Sequence, residues 1–233
     1  MQYIVPKERN IMQGRVIYLL IIIFALQTFY PFTFTDELWK LITFQMGYLL
    51  MIVAGILVVQ DSPKQVIILV GLGIFWGVSG LAFVLNPVTL TFLLAYISIA
   101  LYQAMVAWIL TLYIFTSRVV NRDVIYATIC VYMLIGAVFV GIYGTIETIT
   151  FSQTRMHAFA DPQVAPDEIF PWQNLVYYSY VTLTTLGYGD ILPVHPWARS
   201  FATLESIIGV LFTTIVIARL IGIYSSSEQK EPN

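Results

Sequence analysis

An all-α membrane protein, with six transmembrane helices and a re-entrant helix between the last two, is the fold class that the sequence predicts. Composition is the first reason: of 233 residues, 59% are hydrophobic, 15% aromatic and only 10% charged. A mean hydropathy of +0.83 implies more apolar surface than a soluble core can hide. The second reason is run length, because six apolar stretches each approach or exceed the about 20 residues that a bilayer core requires. The third is the placement of charge, which falls mainly in the breaks between those stretches.

Residues 1–14 are expected to be a cytoplasmic segment, and 15–116 a four-helix transmembrane domain with runs at 15–35, 39–60, 65–84 and 89–116. The first run is too long for the apolar part of a signal peptide and passes into Q-T-F-Y-P-F with no small-residue cleavage site, so it is a retained helix. D-S-P-K at 61–64 and L-N-P at 85–87 end the second and third runs. A cytoplasmic linker, S-R-V-V-N-R-D at 117–123, leads into a second unit over 124–224, with runs at 124–148 and 200–224. Residues 225–233 form a short tail. Cys130 lies inside an apolar run as a small hydrophobe.

Lysine and arginine near the span ends set the orientation. With the N-terminus inside, Lys7, Arg9, Arg15, Lys64, Arg118, Arg122, Arg219 and Lys230 are cytoplasmic, eight of the eleven, against Lys40, Arg155 and Arg199 outside. Both termini are then cytoplasmic, in a multi-pass protein of the plasma membrane. The net charge of −2 is spread thinly and offers nucleic acid no basic field.

The connection 149–199 begins with a polar stretch and continues as P-W-Q-N-L-V-Y-Y-S-Y-V-T-L-T at 171–184, too short to cross a bilayer. Pro171 suits a first helical turn, and Asp167 and Glu168 favour the positive end of its dipole. A re-entrant helix follows, and irregular backbone at membrane depth is tolerated only where it is buried or lines a water-filled path. Next comes T-L-G-Y-G-D at 185–190, in which Gly187 and Gly189 permit backbone angles that a side chain forbids. Such a segment can turn successive carbonyls toward one axis.

T-L-G-Y-G-D resembles the filter signature of potassium channels, with Leu186 where valine or isoleucine is more usual. The resemblance covers about 124–224 as outer helix, turret, pore helix, filter and inner helix. It implies that Thr185, Leu186, Gly187 and Tyr188 bind potassium through their carbonyls, Thr185 adding its hydroxyl, within a filter that includes Gly189. It implies further that Asp190 braces the outer mouth, that Tyr188 packs on the pore helix, and that Tyr177 and Tyr178 stand where many members carry tryptophans. Thr184 ends that helix, whose negative dipole end would face a cation below the filter. Gly209 falls at the family's gating-hinge position; a glycine there either eases bending or permits close packing. One filter copy cannot encircle an ion, so a fourfold-symmetric homotetramer is expected.

Six-span members often sense voltage through arginines on the fourth helix, whereas residues 89–116 contain no lysine or arginine. Each charge moved across 100 mV supplies about 2.3 kcal/mol, so little voltage dependence is expected from this domain. No nucleotide- or calcium-binding domain is expected in the tail. Filter, lipid or a separate regulatory subunit could each gate the pore.

Glu147 and Glu205 either hold groups behind the filter or sit at the interface. His195, just outside the filter, either makes the mouth proton-sensitive, because histidine titrates near neutral pH, or is a solvent-exposed loop residue, the reading preferred here; His157, in the turret, has still less claim to such a role. Asp36, Glu37, Asp161, Asp167 and Glu168 form a solvated acidic rim, and Trp172 and Trp197 an interfacial belt. The spans hold no histidine, no paired carboxylates within one run and no nucleophile with an evident base, which argues against an enzyme. No cofactor is expected beyond permeant potassium. Two other readings remain: a non-selective cation channel, and a non-conducting membrane-sensing or regulatory subunit.

Overall fold

The computed structural model describes residues 14–34, 38–59, 62–117 and 119–228. The expectations for Lys7, Arg9, Asp36, Glu37, Arg118, Lys230 and the last five residues lie outside these, as does the side chain of Lys40. The helices are α1 (Val16–Phe29), α2 (Leu38–Val58), α3 (Pro63–Leu85), α4 (Thr89–Thr116), α5 (Arg122–Thr154), α6 (Trp172–Leu183) and α7 (Pro196–Glu228). A 3-10 turn, Tyr30–Phe34, follows α1. Two short strands, β1 (Phe159–Ala160) and β2 (Leu192–Pro193), pair antiparallel with Phe159 opposite Pro193.

Among the described residues, five segments are long and apolar enough to cross a membrane: Val16–Thr33, Pro63–Leu85, Thr89–Thr116, Arg122–Thr154 and Pro196–Ile223. The stretch expected as the second span contributes the 21-residue α2, with Gln45–Val58 as its shorter described apolar part. The first run is not one α-helix over 15–35. It turns 3-10 at Tyr30, because Pro31 has no N–H for the helical ladder and crowds the residue before it. The fifth helix runs six residues beyond the expected end at 148. Hydropathy ends with the apolar side chains there, but the helix persists until Arg155 turns left-handed at φ 58°. The seventh starts at Pro196 rather than 200, since proline is well suited to a first helical turn.

Packing between α4 and α5 depends on small residues. A Cβ on Gly141 would lie 2.6 Å from the Tyr96 carbonyl, and one on Gly144 would strike the Tyr96 ring. The two helices therefore meet at backbone distance, the arrangement that replaces hydrophobic driving force in lipid. Inside the four-helix unit the hydroxyls of Ser79 and Ser98 bond at 2.6 Å, and the Tyr102 hydroxyl donates to the Ile52 carbonyl at 2.8 Å. Cys130 is buried with no disulfide, as expected of a small hydrophobe.

Polar ties fix the four-helix unit to α5–α7 at both ends. At one end the Gly14 N–H donates to both carboxylate oxygens of Asp123 at 3.2 Å, and Asn121 caps α5 by accepting from the Val124 N–H at 2.9 Å. There too the Arg219 guanidinium donates to the carbonyls of Phe115 (2.6 Å) and Ser117 (3.1 Å), a cation at the negative end of α4. At the other end the Gln173 side chain donates to the Thr33 carbonyl and hydroxyl, both at 3.0 Å. The inner helix is the least covered: 11% of its apolar window is buried, against 44% for α5. Leu204, Ile207, Val210, Leu211 and Ile215 are left on an open face.

Gly141→Ala and Gly77→Ala are expected to shift thermal stability in opposite directions in detergent melts. The first drives a Cβ into a backbone carbonyl and costs about 1–3 kcal/mol. The second meets nothing within 4 Å and gains up to about 1 kcal/mol of helix propensity.

Candidate functional site

The re-entrant helix α6 begins one residue later than expected. Pro171 is its extended cap, at φ −63° and ψ 128°, rather than part of its first turn. Gln173, Leu175, Val176, Tyr178, Ser179 and Leu183 face the protein. The Ser179 hydroxyl shares its single proton between the Gly136 carbonyl (2.9 Å) and Glu205 (2.6 Å), and the Tyr180 hydroxyl donates to the Met133 carbonyl (2.8 Å).

A helix end leaves its last carbonyls without intrahelical donors, and here each of the last four finds one. Tyr180 accepts from the Thr184 N–H and hydroxyl, and Val181 from the N–H groups of Leu186 (2.9 Å) and Gly187 (3.4 Å). Thr182 accepts from the Thr185 N–H and the Ser206 hydroxyl, and Leu183 from the Tyr132 hydroxyl. Oxygen and hydrogen of a trans peptide unit point in opposite directions. With the Leu186 and Gly187 N–H groups turned toward Val181, the Thr185 and Leu186 carbonyls turn away from α6.

Alternate residues of the same segment have positive φ: Thr185 at 58°, Gly187 at 59° and Gly189 at 80°. Left-handed backbone at every second residue undoes the alternation of carbonyl direction that an extended strand would have. Glycine accepts it without penalty, while Thr185 carries about 1–2 kcal/mol of strain. Residues 184–190 are all exposed in the single chain.

Tyr177 and Tyr178, paired in the sequence expectation, go different ways. The Tyr177 hydroxyl donates to Asp190 at 2.6 Å, and its ring lies parallel to that of Tyr188, centroids 6.5 Å apart. Tyr178 is buried, edge-on to Tyr143 and Phe159. Helical spacing separates neighbours by about 100°, so only one of the two can reach the Asp190 side. The Tyr177 hydrogen bond holds the Asp190 carboxyl below its ordinary value and pushes the phenol up to about 12.

Glu205 is fully buried on α7 and accepts from the Tyr143 hydroxyl (2.5 Å) and from Ser179, so one carboxylate joins α5, α6 and α7. Glu147 accepts from the Ala158 N–H (2.7 Å) and faces His157 Nδ1 at 2.6 Å. His157 thus holds the segment after α5 back onto that helix, with Nε2 3.3 Å from the Ala165 carbonyl and its ring stacked on Phe151. The Ala158 carbonyl in turn accepts from Val194 and His195 N–H, just past the segment 184–190. His195 is half-buried rather than solvent-exposed, since β2 draws it against the turret. Asp161 accepts from Asn174 on α6 at 2.6 Å, a tie more specific than a solvated rim. Trp172 packs on Tyr30 instead of facing only the interface, whereas Trp197 is exposed. A Cβ on Gly209 would strike the Leu183 carbonyl, so α7 passes the end of α6 at backbone contact, and it is helical on both sides of that glycine.

Comparison with known proteins bears on this geometry. The profile of the ion channel family matches residues 144–226, from the middle of α5 through the segment 184–190 to the end of α7. These residues form an ion channel domain. Two-pore potassium channel 5 of Arabidopsis thaliana is 35% identical over 54 residues, 23% of this chain and 13% of that relative. The two similarities are to an ion channel family over the last third of the chain and, over 54 residues, to a potassium channel. The chain spans a small part of the relative's length.

Sequence reasoning missed Tyr132, Tyr143, Ser179 and Ser206. The acceptor of each hydroxyl lies 24 to 62 positions away. No local spacing reports such a pairing.

Two outcomes are expected. Asp190 is ionised and bonded at any pH above the ordinary carboxylate range, and the bond is lost as pH falls through the lowered value. Tyr177→Phe therefore moves the Asp190 midpoint in a carboxyl 13C NMR titration upward, toward about 3.9. In unfolding experiments Glu205→Ala strands the Tyr143 hydroxyl at about 1–3 kcal/mol beyond its volume loss, while Ser179 keeps the Gly136 carbonyl. A Tyr143→Phe/Glu205→Ala cycle is then non-additive, and additivity would refute the coupling.

Proposed function

We propose that this chain is one subunit of a fourfold-symmetric homotetramer, six-spanning with both termini cytoplasmic, that conducts potassium passively across the plasma membrane. The observation that carries this reading is the pair of N–H groups at Leu186 and Gly187 anchored on the Val181 carbonyl. That anchorage sends the carbonyls of Thr185 and Leu186 away from the pore helix, and the positive φ at Gly187 and Gly189 favours the same course for the residues above. A single strip of oxygens cannot replace a hydration shell. Four strips around an axis make stacked rings that can, and a dehydrated monovalent cation is the ligand such rings suit. The uncovered apolar face of α7 supports a neighbouring subunit there.

In this reading Thr185, Leu186, Gly187 and Tyr188 bind the ion, Asp190 and Tyr177 brace the outer mouth, and Tyr178 acts from behind through Tyr143. Potassium is the cargo, and no resident cofactor is required. The first four helices contact lipid and stiffen the pore helix through Gln173 and Thr33. With no lysine or arginine over 89–116, α4 lends the pore no gating charge.

Potassium flux into liposomes holding only the purified protein tests the reading. Barium-sensitive potassium flux that excludes sodium, vanishes in Gly187→Asp and varies only shallowly with voltage is the expected result. Equal passage of sodium would make the pore non-selective, and steep sigmoidal voltage activation would overturn the role assigned to α4.

A further inference from the structure

The four-helix unit and the pore helix do not close on one another completely. Between them lies a cavity of about 50 Å3 with walls from α1, α2, α4, α5 and α6, including Val176 and Tyr180 of the pore helix. A second cavity of about 120 Å3 shares Tyr48, Ile99, Val140 and Trp172 with it. Their combined volume is close to the roughly 150 Å3 that accommodates one benzene ring in a protein interior.

One wall group is out of keeping with the rest. Gln103, on α4, is only 2% exposed, and its Oε1 has no hydrogen-bond partner among the described residues. Its amide nitrogen reaches only the Met51 sulfur, at 3.9 Å. A buried amide oxygen at membrane depth requires a donor. The nearby Tyr180 hydroxyl does not serve, because it donates to the Met133 carbonyl. The wall also carries Gln27, Tyr30, Tyr48 and Tyr180 among apolar groups such as Ile23, Leu26, Ile99 and Val140, a mixed lining that suits an amphiphile with an apolar body and one donor.

We infer that this double cavity is a binding site for a small neutral molecule with one aromatic ring and one hydrogen-bond donor, a phenol-like amphiphile whose donor meets Gln103 Oε1. The ring lies in the larger cavity, beside Trp76 and Tyr96. The donor points to α4, and the ligand's edge rests on the pore helix. Such a molecule reaches the site through lipid, in which it partitions readily.

Fluorine NMR of the full-length protein in lipid nanodiscs, with 4-fluorophenol and fluorobenzene as probes and empty nanodiscs as reference, tests this. The readout does not depend on conduction, so its failure is separate from a failure of the channel reading. The wild type is expected to bind 4-fluorophenol saturably and about fivefold more tightly than fluorobenzene, the value of one neutral hydrogen bond. Gln103→Met, which conserves volume, brings the two probes together. Ala137→Leu, which narrows the smaller cavity, weakens saturable binding of 4-fluorophenol. Equal behaviour of both probes in the wild type, or 4-fluorophenol binding unchanged by Ala137→Leu, would overturn the assignment.

Discussion

The N–H groups of Leu186 and Gly187 share one acceptor, the Val181 carbonyl, and the contacts among α5, α6 and α7 keep that acceptor in place. A helix that merely dipped into the protein would expose four carbonyls at its end. In α6 those carbonyls are consumed by the segment that follows and by hydroxyls of α5 and α7. The segment 185–190 is thus suspended from the helix end by its own amides. Its direction follows from the planarity of the peptide unit, with side chains needed only to keep α6 from moving.

Keeping α6 still is the task of the polar side chains around it. Gln173 ties its first turn to Thr33, Ser179 its middle to Gly136 and Glu205, and Tyr180 the next position to Met133, one turn earlier on α5. In hydrocarbon such bonds have no competing water, and leaving one partner unpaired costs more than the bond itself contributes. Glu205 has the most at stake, since a buried carboxylate without donors would be far more costly than an apolar residue. Close backbone approach does the rest: Gly141 and Gly144 seat α5 on α4, and Gly209 seats α7 on the end of α6.

The helical segments were legible because apolar run length is a direct reading of bilayer thickness, and α4 matches its expected limits at Thr89 and Thr116. The unusual backbone of 185–190 was legible at its glycines, because two glycines one residue apart permit the positive φ that Gly187 and Gly189 adopt. Where apolar character and helicity diverge, legibility ended: α5 continues through polar residues to Thr154, and Pro31 ends α1 inside an apolar run. Nor did Thr185 announce its left-handed backbone, since nothing in a β-branched residue favours positive φ. The separation of Tyr177 from Tyr178 was latent in helical geometry. The Glu147–His157 contact had no such herald, because it depends on how the turret folds back over α5.

The ties that hold α1 have a further meaning for how the protein is made. Gly14 is bonded to a carboxylate 109 positions later, and Thr33 to an amide 140 positions later. At a ribosomal pace of about 5–20 residues per second, the first helix waits on the order of ten seconds before either partner exists. During that interval it must persist in the bilayer by hydrophobicity alone, which accounts for a helix whose fourteen residues include only two polar ones, Gln27 and Thr28. Its apolar character secures insertion, and its place in the fold is conferred later by residues of α5 and α6.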